Sequence, residues 1–439
     1  MRTHATLFLV LATLGHAVGA RADWPQFRGP TGDGVAGAAA LPVTWSEKEN
    51  IAWKVPIPGL GRSSPVVLGD RIWLTTAIAT PASAGQSGPK SPGAKPADRD
   101  ATLPPSGAVS LQVISLDCRS GRRLYQSEVF AVEKPVPIHP VSSHATPTPV
   151  VEPGRLYCDF GTYGTACVDA ADGRVLWKAR LPIDHQLGPA SSPVICRDWM
   201  IVVRDGCDAQ FVAGLDKRSG RTVWRTERPP FEAEGPVRKS FSTPLVIEAG
   251  NRVQVATIGA HWVAAYEPAT GREIWRVRHG TGYSIAPRPV YGHGMVYVCT
   301  GGYVAQLWAI RVDGHGDVSQ THVAWKATQQ IPLMASPLLV GRELYFVSDN
   351  GILSCLDALV GKTHWRERLG GNYASSPFFA DGRIYVVSRE GKTTVFRPGT
   401  QFARLAENRL DAAVIATPAI AGRAIFLRSD THLYRIENR

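Results

Sequence analysis

One recurring phrase governs what this chain can fold into. An acidic residue, three residues, Gly-Arg or Gly-Lys, two residues and an aromatic appear as "DCRSGRRLY" ending at Tyr125, "DAADGRVLW" at Trp177, "DKRSGRTVW" at Trp224, "EPATGREIW" at Trp275 and "DALVGKTHW" at Trp365. A weaker copy, "GHGDVSQTHVAW", ends at Trp325 behind a longer turn. Self-similarity of this kind marks solenoids and propellers. The acid and the glycine suit a tight turn, the glycine supplying positive φ, and fold the chain back between two strands. The aromatic then falls early in the outgoing strand, where it can pack between neighbouring sheets.

A second phrase precedes each copy. It is a short apolar strand behind a proline, a Gly/Asp turn and an alternating strand, as in "SSPVVLGDRIWL" from Ser63 and "SSPFFADGRIYVV" from Ser375. Proline at the start of a strand is one of the few places a sheet tolerates it. The anchoring prolines are Pro65, Pro149, Pro193, Pro244, Pro289, Pro337, Pro377 and Pro418. Their usual spacing of roughly 40 to 50 residues is the length of a four-stranded propeller blade. The first step is longer because it carries residues 81–107, whose Pro/Ser/Gly/Ala bias marks a flexible insertion. After Pro418 the chain ends with three strands and no aromatic fourth. "NIAWKVPI", Asn50 to Ile57, supplies the missing strand from the N-terminal side, and its pairing with the last three closes the ring and removes exposed edges. The expected fold is all-β, an eight-bladed propeller of four-stranded antiparallel blades over residues 50–439, preceded by a leader over 23–49.

The start of the chain belongs to targeting. Arg2, the apolar run "ATLFLVLATL" and the A-x-A site Ala20-Arg21-Ala22 describe a signal peptide over residues 1–22, with Asp23 first in the mature chain. No later run approaches the ~20 apolar residues of a membrane-spanning helix. The first cysteine is Cys118, which leaves no lipid anchor at the new N-terminus. Losing Arg2 and Arg21 lowers the formal charge from +11 to +9. A basic exported protein points to acidic partners such as anionic envelope polymers or lipid head groups and away from nucleic acid. Export permits disulfides. Among seven cysteines the candidate pair is Cys158 with Cys167, placed about the Gly161 to Gly164 turn in "CDFGTYGTAC"; the alternative is burial as small apolar side chains.

Trp53, Tyr125, Trp177, Trp224, Trp275, Trp325 and Trp365 occupy equivalent places in successive units, which is what packing between blades requires and a single ligand does not. "DGHGD", Asp313 to Asp317, reads as a long hairpin turn, and "RDGCD" from Arg204 and "SDNG" from Ser348 likewise as turns, with no metal site assigned. No GxSxG, HExxH or phosphate loop is present, and no catalytic residue is assigned. A four-stranded blade puts its first-to-second and third-to-fourth turns on one face. That face collects Arg71, Arg122, Arg155, Arg174, Arg221, Arg252, Arg272, Arg342, Lys362, Arg383 and Arg423. Such an accumulation can attract anions. The opposite face carries the insertion and the connections between blades. There His144, His185, Lys239, Tyr283, Arg288 and Tyr373 are the candidate lining of an axial mouth for a ligand or partner.

The repeated D-x-x-x-G-R/K-x-x-W following S-P-V-x-x-G-x-x-Y resembles the repeat of the pyrroloquinoline-quinone-type β-propeller family, from Asn50 to the C-terminus. The segment "DWPQFRGPTGDG", Asp23 to Gly34, looks like the leader of a secreted, outer-membrane-assembly-like subgroup. The resemblance implies the propeller fold and two kinds of function, quinoprotein dehydrogenase or non-catalytic envelope scaffold. The dehydrogenase reading implies PQQ over the axis, calcium held by carboxylate and amide ligands, an aspartate base and a disulfide between adjacent cysteines. This chain has no adjacent cysteine pair, and 81–107 is its one long insertion. The reading is therefore an exported, periplasmic or secreted, monomeric scaffold that binds proteins and needs no cofactor. The alternatives are a PQQ-dependent oxidoreductase of an alcohol or sugar and a polysaccharide-binding module.

Overall fold

A computed structural model describes residues 23–37, 40–80, 101–103, 107–280 and 282–439. The expected signal peptide and most of the 81–107 insertion lie outside the described residues. Among the described residues no helix is long and apolar enough to cross a membrane.

Each anchoring proline stands one residue before the first strand of a four-stranded antiparallel sheet, at Val66, Val150, Val194, Leu245, Val290, Leu338, Phe378 and Ala419. Those sheets are blades 1 to 8. Blade 1 is typical, with strands Val66–Leu68, Arg71–Ala79, Val109–Asp117 and Arg123–Val132. First strands of neighbouring blades pack together around the axis. Middle strands are covered on both faces by adjacent blades, which is why Met295–Cys299 and Ile352–Asp357 read as buried apolar runs. Outer strands such as Thr363–Arg368 alternate between partly buried and exposed positions. Blade 8 takes its outer strand from the N-terminal side as expected: Ile51–Pro56 pairs antiparallel with His432–Ile436, with Trp53 opposite Arg435.

The repeated phrase is the joint between blades. Each phrase glycine has positive φ and lies against the aromatic of the preceding blade: Gly121 on Trp53, Gly173 on Tyr125, Gly220 on Trp177, Gly271 on Trp224 and Gly361 on Trp325. The aromatic also donates to a carbonyl of that next turn. Trp53 Nε1 reaches Cys118 O at 3.1 Å, Trp177 reaches Lys217 O at 3.1 Å, Trp224 reaches Pro268 O at 2.9 Å and Trp325 reaches Ala358 O at 2.9 Å. One joint differs. Trp275 of blade 4 donates to Gln254 Oε1 at 2.7 Å, and Gln254 Nε2 donates to Val312 O at 3.2 Å.

At that joint "DGHGD" lies in a long hairpin turn between Leu307–Arg311 and Val323–Ala327, as expected, and adds one feature. Gly316–Asp317 is a short strand added in parallel to the outer edge of blade 4, opposite Trp275 and Arg276. Asp317 faces Arg276 at 3.5 Å, and His315 meets Arg252 at 2.8 Å. "RDGCD" is likewise more than a turn. Arg204 and Asp205 are about 1% exposed; Arg204 pairs with Asp159 of blade 2 at 2.7 Å, and Asp205 pairs with Arg228 at 2.8 Å. The proposed Cys158–Cys167 disulfide is also corrected. The hairpin register sets Cys167 opposite Tyr157 and Cys158 opposite Ala166, one position out of step, so the thiols occupy opposite sheet faces. Cys158 packs towards blade 1, Cys167 towards blade 3, and both are free thiols.

Candidate functional site

The residues just before the anchoring prolines are Ser64, Thr148, Ser192, Thr243, Arg288, Ser336, Ser376 and Thr417. Chain entry at a proline sets these residues around the axis, and six of them turn the N–H towards the next blade. Backbone N–H groups of Ser64, Thr148 and Ser192 donate to the hydroxyls of Thr148, Ser192 and Thr243 at 2.9, 2.9 and 3.0 Å. Those of Arg288, Ser336 and Ser376 donate to Ser336, Ser376 and Thr417 at 3.0, 2.9 and 3.0 Å. The result is a belt of hydroxyls around the axis, interrupted where blade 5 substitutes Arg288. A hydroxyl that accepts a bond still has a hydrogen to give.

The leader crosses the axis below this belt, further along the first strands. Trp24 exchanges two backbone bonds with Val67 of blade 1, and Val151 of blade 2 donates to Pro25 O at 2.8 Å. After the crossing Val35–Ala36 pairs in parallel with the first strand of blade 7. Two buried arginines clamp the crossing. Arg28 donates to Pro337 O at 2.7 Å and to Asp33 O, and Arg288 donates to Phe27 O at 2.6 Å and Pro244 O at 3.0 Å. Burial lowers both guanidinium pKa values, Arg28 to about 10 and Arg288 to about 9, and each remains cationic at neutral pH.

The axial channel is therefore a blind well of about 460 Å³ with Phe27 on its lining. Its walls are apolar at Leu187, Phe241, Tyr283, Met334, Tyr373 and Ile415. Belt hydroxyls of Thr148, Ser192, Thr243, Ser376 and Thr417 open onto it. Its charged lining residues are Arg62, Arg389 and Asp349. Arg62 pairs with Asp430, and directly behind it Arg428 donates to Ser63 Oγ at 2.6 Å and Thr75 O at 2.9 Å. Burial, reinforced by the charge of Arg389, lowers Arg62 to about 10; burial and the charge of Arg62 lower Arg428 to about 9. Positive charge is thus concentrated on one wall.

Of the six residues expected at the mouth, Tyr283 and Tyr373 line the well. The other four do not line it. His144 is buried against Tyr163, with its ring nitrogen 3.1 Å from the phenol, and burial pushes its pKa down to about 4. His185 accepts the Thr162 N–H at 3.0 Å and is pushed down to about 3, by burial first and then by the charge of Arg204. Lys239 donates to Gln186 Oε1 at 2.8 Å and to Pro236 O at 3.0 Å. Arg288 lies in the belt and holds the leader. Sequence reasoning missed the belt although Ser/Thr-Pro recurs in seven of the eight units, a usable signal. Nothing in the repeat singles out Arg62 or Arg389.

The topology does place the eleven basic turn residues at the same end of their blades. The phrase acids share that end. Arg174 faces Asp169 at 3.9 Å, Arg272 faces Glu267 at 3.2 Å, Arg342 faces Asp357 at 2.8 Å and Arg383 faces Asp381 at 2.6 Å. Arg71 donates to Ala170 O and Ala171 O, and Arg155 to Arg218 O, at the next blade's turn. Much of this charge is locally matched, and exposed pairs of this kind contribute little to stability. As for a quinone with calcium, Asp349 and Asn372 are the carboxylate and amide on the well lining. Among the described residues no three metal-ligating side chains of Asp, Glu, His or Cys converge, and no adjacent cysteine pair exists. The residues present do not fit that cofactor set.

Comparison with known proteins adds the following. The family model described as outer membrane protein assembly factor BamB matches residues 109–259, 208–331 and 316–400. The outer membrane protein assembly factor BamB of Legionella pneumophila (strain Paris) is 23% identical over 202 residues, 44% of this chain and 49% of that protein. Quinohemoprotein alcohol dehydrogenase ADH-IIG of Pseudomonas putida is 25% identical over 177 residues, 35% of this chain and 24% of that protein. The matches thus span about half and about a quarter of these relatives' lengths. The crystal structure of BamB from Moraxella catarrhalis superposes with a TM-score of 0.59 at 15% identity, covering 89% of this chain and 97% of that one. A europium-containing methanol dehydrogenase does so with 0.52 at 10% identity, covering 86% and 89%. At these identities the structural likeness concerns the fold.

Proposed function

The chain belongs to the PQQ-like repeat β-propeller family, and from that premise we propose that it is an exported, non-catalytic scaffold of the cell envelope that binds protein partners on its mouth face. One observation carries this reading. The blind well opens beside the blade 5 hairpin, where Tyr303 and Val304 are 74% and 70% exposed, the most exposed large apolar side chains among the described residues. Tyr303 stands edge-on to Tyr283, a lining residue, with ring centroids 5.9 Å apart. Large apolar side chains held at the lip of a cavity suit a partner surface better than they suit water. The BamB-named relatives support an envelope protein-assembly role, and the signal-like start supports export. A quinone is not part of the reading.

The test places a photo-crosslinking residue at Tyr303 and, as the control, at Val360 on the turn face. Discrete protein adducts from position 303 and none from 360 are expected on irradiation of cells expressing the protein. Protein adducts from 360 alone, or only polysaccharide adducts from 303, would overturn it.

A further inference from the structure

Resting on the scaffold reading, we propose that the axial well captures the C-terminal end of a partner polypeptide. The partner's free carboxylate would sit on the hydroxyl belt and arginine wall, and its apolar last side chain on Phe27, Phe241 and Tyr373. The leader decides that the ligand is an end. Trp24 is bonded to Val67 of blade 1 and Phe27 O to Arg288 of blade 5, directly across an eight-bladed ring, so an extended segment can enter the well but cannot run through it. A well of about 460 Å³ falls in the ~300–1,000 Å³ range of ligand pockets, enough for the last few residues of a chain and far too small for a folded unit.

The donor balance decides which end. A chain's N-terminal ammonium needs acceptors, whereas a carboxylate needs donors. The belt hydroxyls already use an acceptor site on the N–H of the preceding blade, which turns their hydrogens towards other acceptors. Arg62 and Arg389 bring two guanidiniums to the same lining, and Arg62 Nε, although buried, has no hydrogen-bond partner. Among the described residues Asp349 is the one carboxylate on the lining, and its Oδ1 accepts the Leu333 N–H at 2.9 Å. Guanidinium and hydroxyl donors in an apolar-walled pocket are a strong combination for a carboxylate, and capture of a C-terminal carboxylate is a known mode of peptide recognition.

The experiment measures fluorescence anisotropy of an N-terminally labelled hexapeptide ending in phenylalanine, titrated with the full mature protein. The comparison is with the same peptide amidated at its C-terminus. Binding of the free acid, weakened about tenfold or more by amidation, is expected. Arg389→Gln, which changes a half-buried group without opening the Arg62–Asp430 pair, should erase most of that difference. Ile415→Trp, which narrows the well from a half-buried position, should abolish binding while the melting temperature holds. Equal binding of acid and amide overturns the proposal. Competition by hydrocinnamate as strong as by the unlabelled peptide overturns its polypeptide part and leaves a small-carboxylate site. Absence of peptide binding while Tyr303 still crosslinks to protein overturns the inference alone; loss of both overturns the scaffold reading too.

Discussion

Replacing Gly121 by alanine tests the claim that the phrase glycine is a seat for the preceding blade's aromatic. Gly121 has φ of +70° at the joint where the N-terminal strand closes the ring, and an added Cβ would lie 2.8 Å from Trp53 Cδ2 and 2.9 Å from Val55 Cγ1. Two costs are predicted. An L-residue in the left-handed region costs roughly 1–2 kcal/mol, and a methyl forced into a packed joint adds roughly 1–3 kcal/mol. Gly382 isolates the first cost, because its φ is +71° and nothing lies within 4 Å of its would-be Cβ. With an unfolding entropy of about 2.1 cal/mol/K per residue, 1 kcal/mol shifts the melting temperature of a chain this size by about 1 °C. Calorimetry should therefore show Gly382→Ala lower by about 1–2 °C and Gly121→Ala lower by about 2–5 °C. In a Trp53→Leu background the excess at Gly121 should shrink towards the Gly382 value, leaving only the part owed to Val55, since the ring it collides with is gone. Equal shifts for the two glycine variants in the parent protein would refute the seat.

Two further outcomes follow from buried cations and imidazoles. Arg28→Ala removes a fully buried guanidinium that donates to Pro337 O and Asp33 O, a loss of about 3 kcal/mol for charged bonds. The leader should release, so that chymotrypsin cuts at Trp24 or Phe27; an N-terminus that stays protected would show that the leader does not depend on this clamp. His185 has its pKa pushed down to about 3 from an ordinary value of 6.5, so between those values the unfolded chain binds the proton and the folded one does not. Its contribution is intact above pH 6.5 and declines as pH falls towards 3, by about 2–3 kcal/mol between pH 6.5 and 4.5. His185→Gln should narrow the gap between melting temperatures at pH 7 and 4.5, leaving the acid limb of His144 and His279, both lowered to about 4.

What could be read from the chain alone, and what could not, divides along the geometry of a propeller. A repeat records the contact of one blade with the next, because that contact recurs at each joint. The Gly–Trp seats, the anchoring prolines and the displaced strand Ile51–Pro56 were legible for that reason. Register was not, since one position is enough to turn Cys158 and Cys167 to opposite faces, and turn symmetry in the letters does not resolve one position. The axis was read least well. It is where all blades meet, so the residues that matter there are those that break the repeat: Arg288 where the other units carry a hydroxyl, Arg62 ahead of the first anchoring proline, and Arg28 and Phe27 from a leader outside the repeat. His144, His185 and Lys239 look like axial residues by chain position, yet their hydrogen bonds fasten the mouth-side connections around the well. In a closed ring of similar units a ligand at the centre can be addressed only by departures from the pattern: Arg62 and Phe27 line the well, and Arg288 and Arg28 hold the leader that floors it.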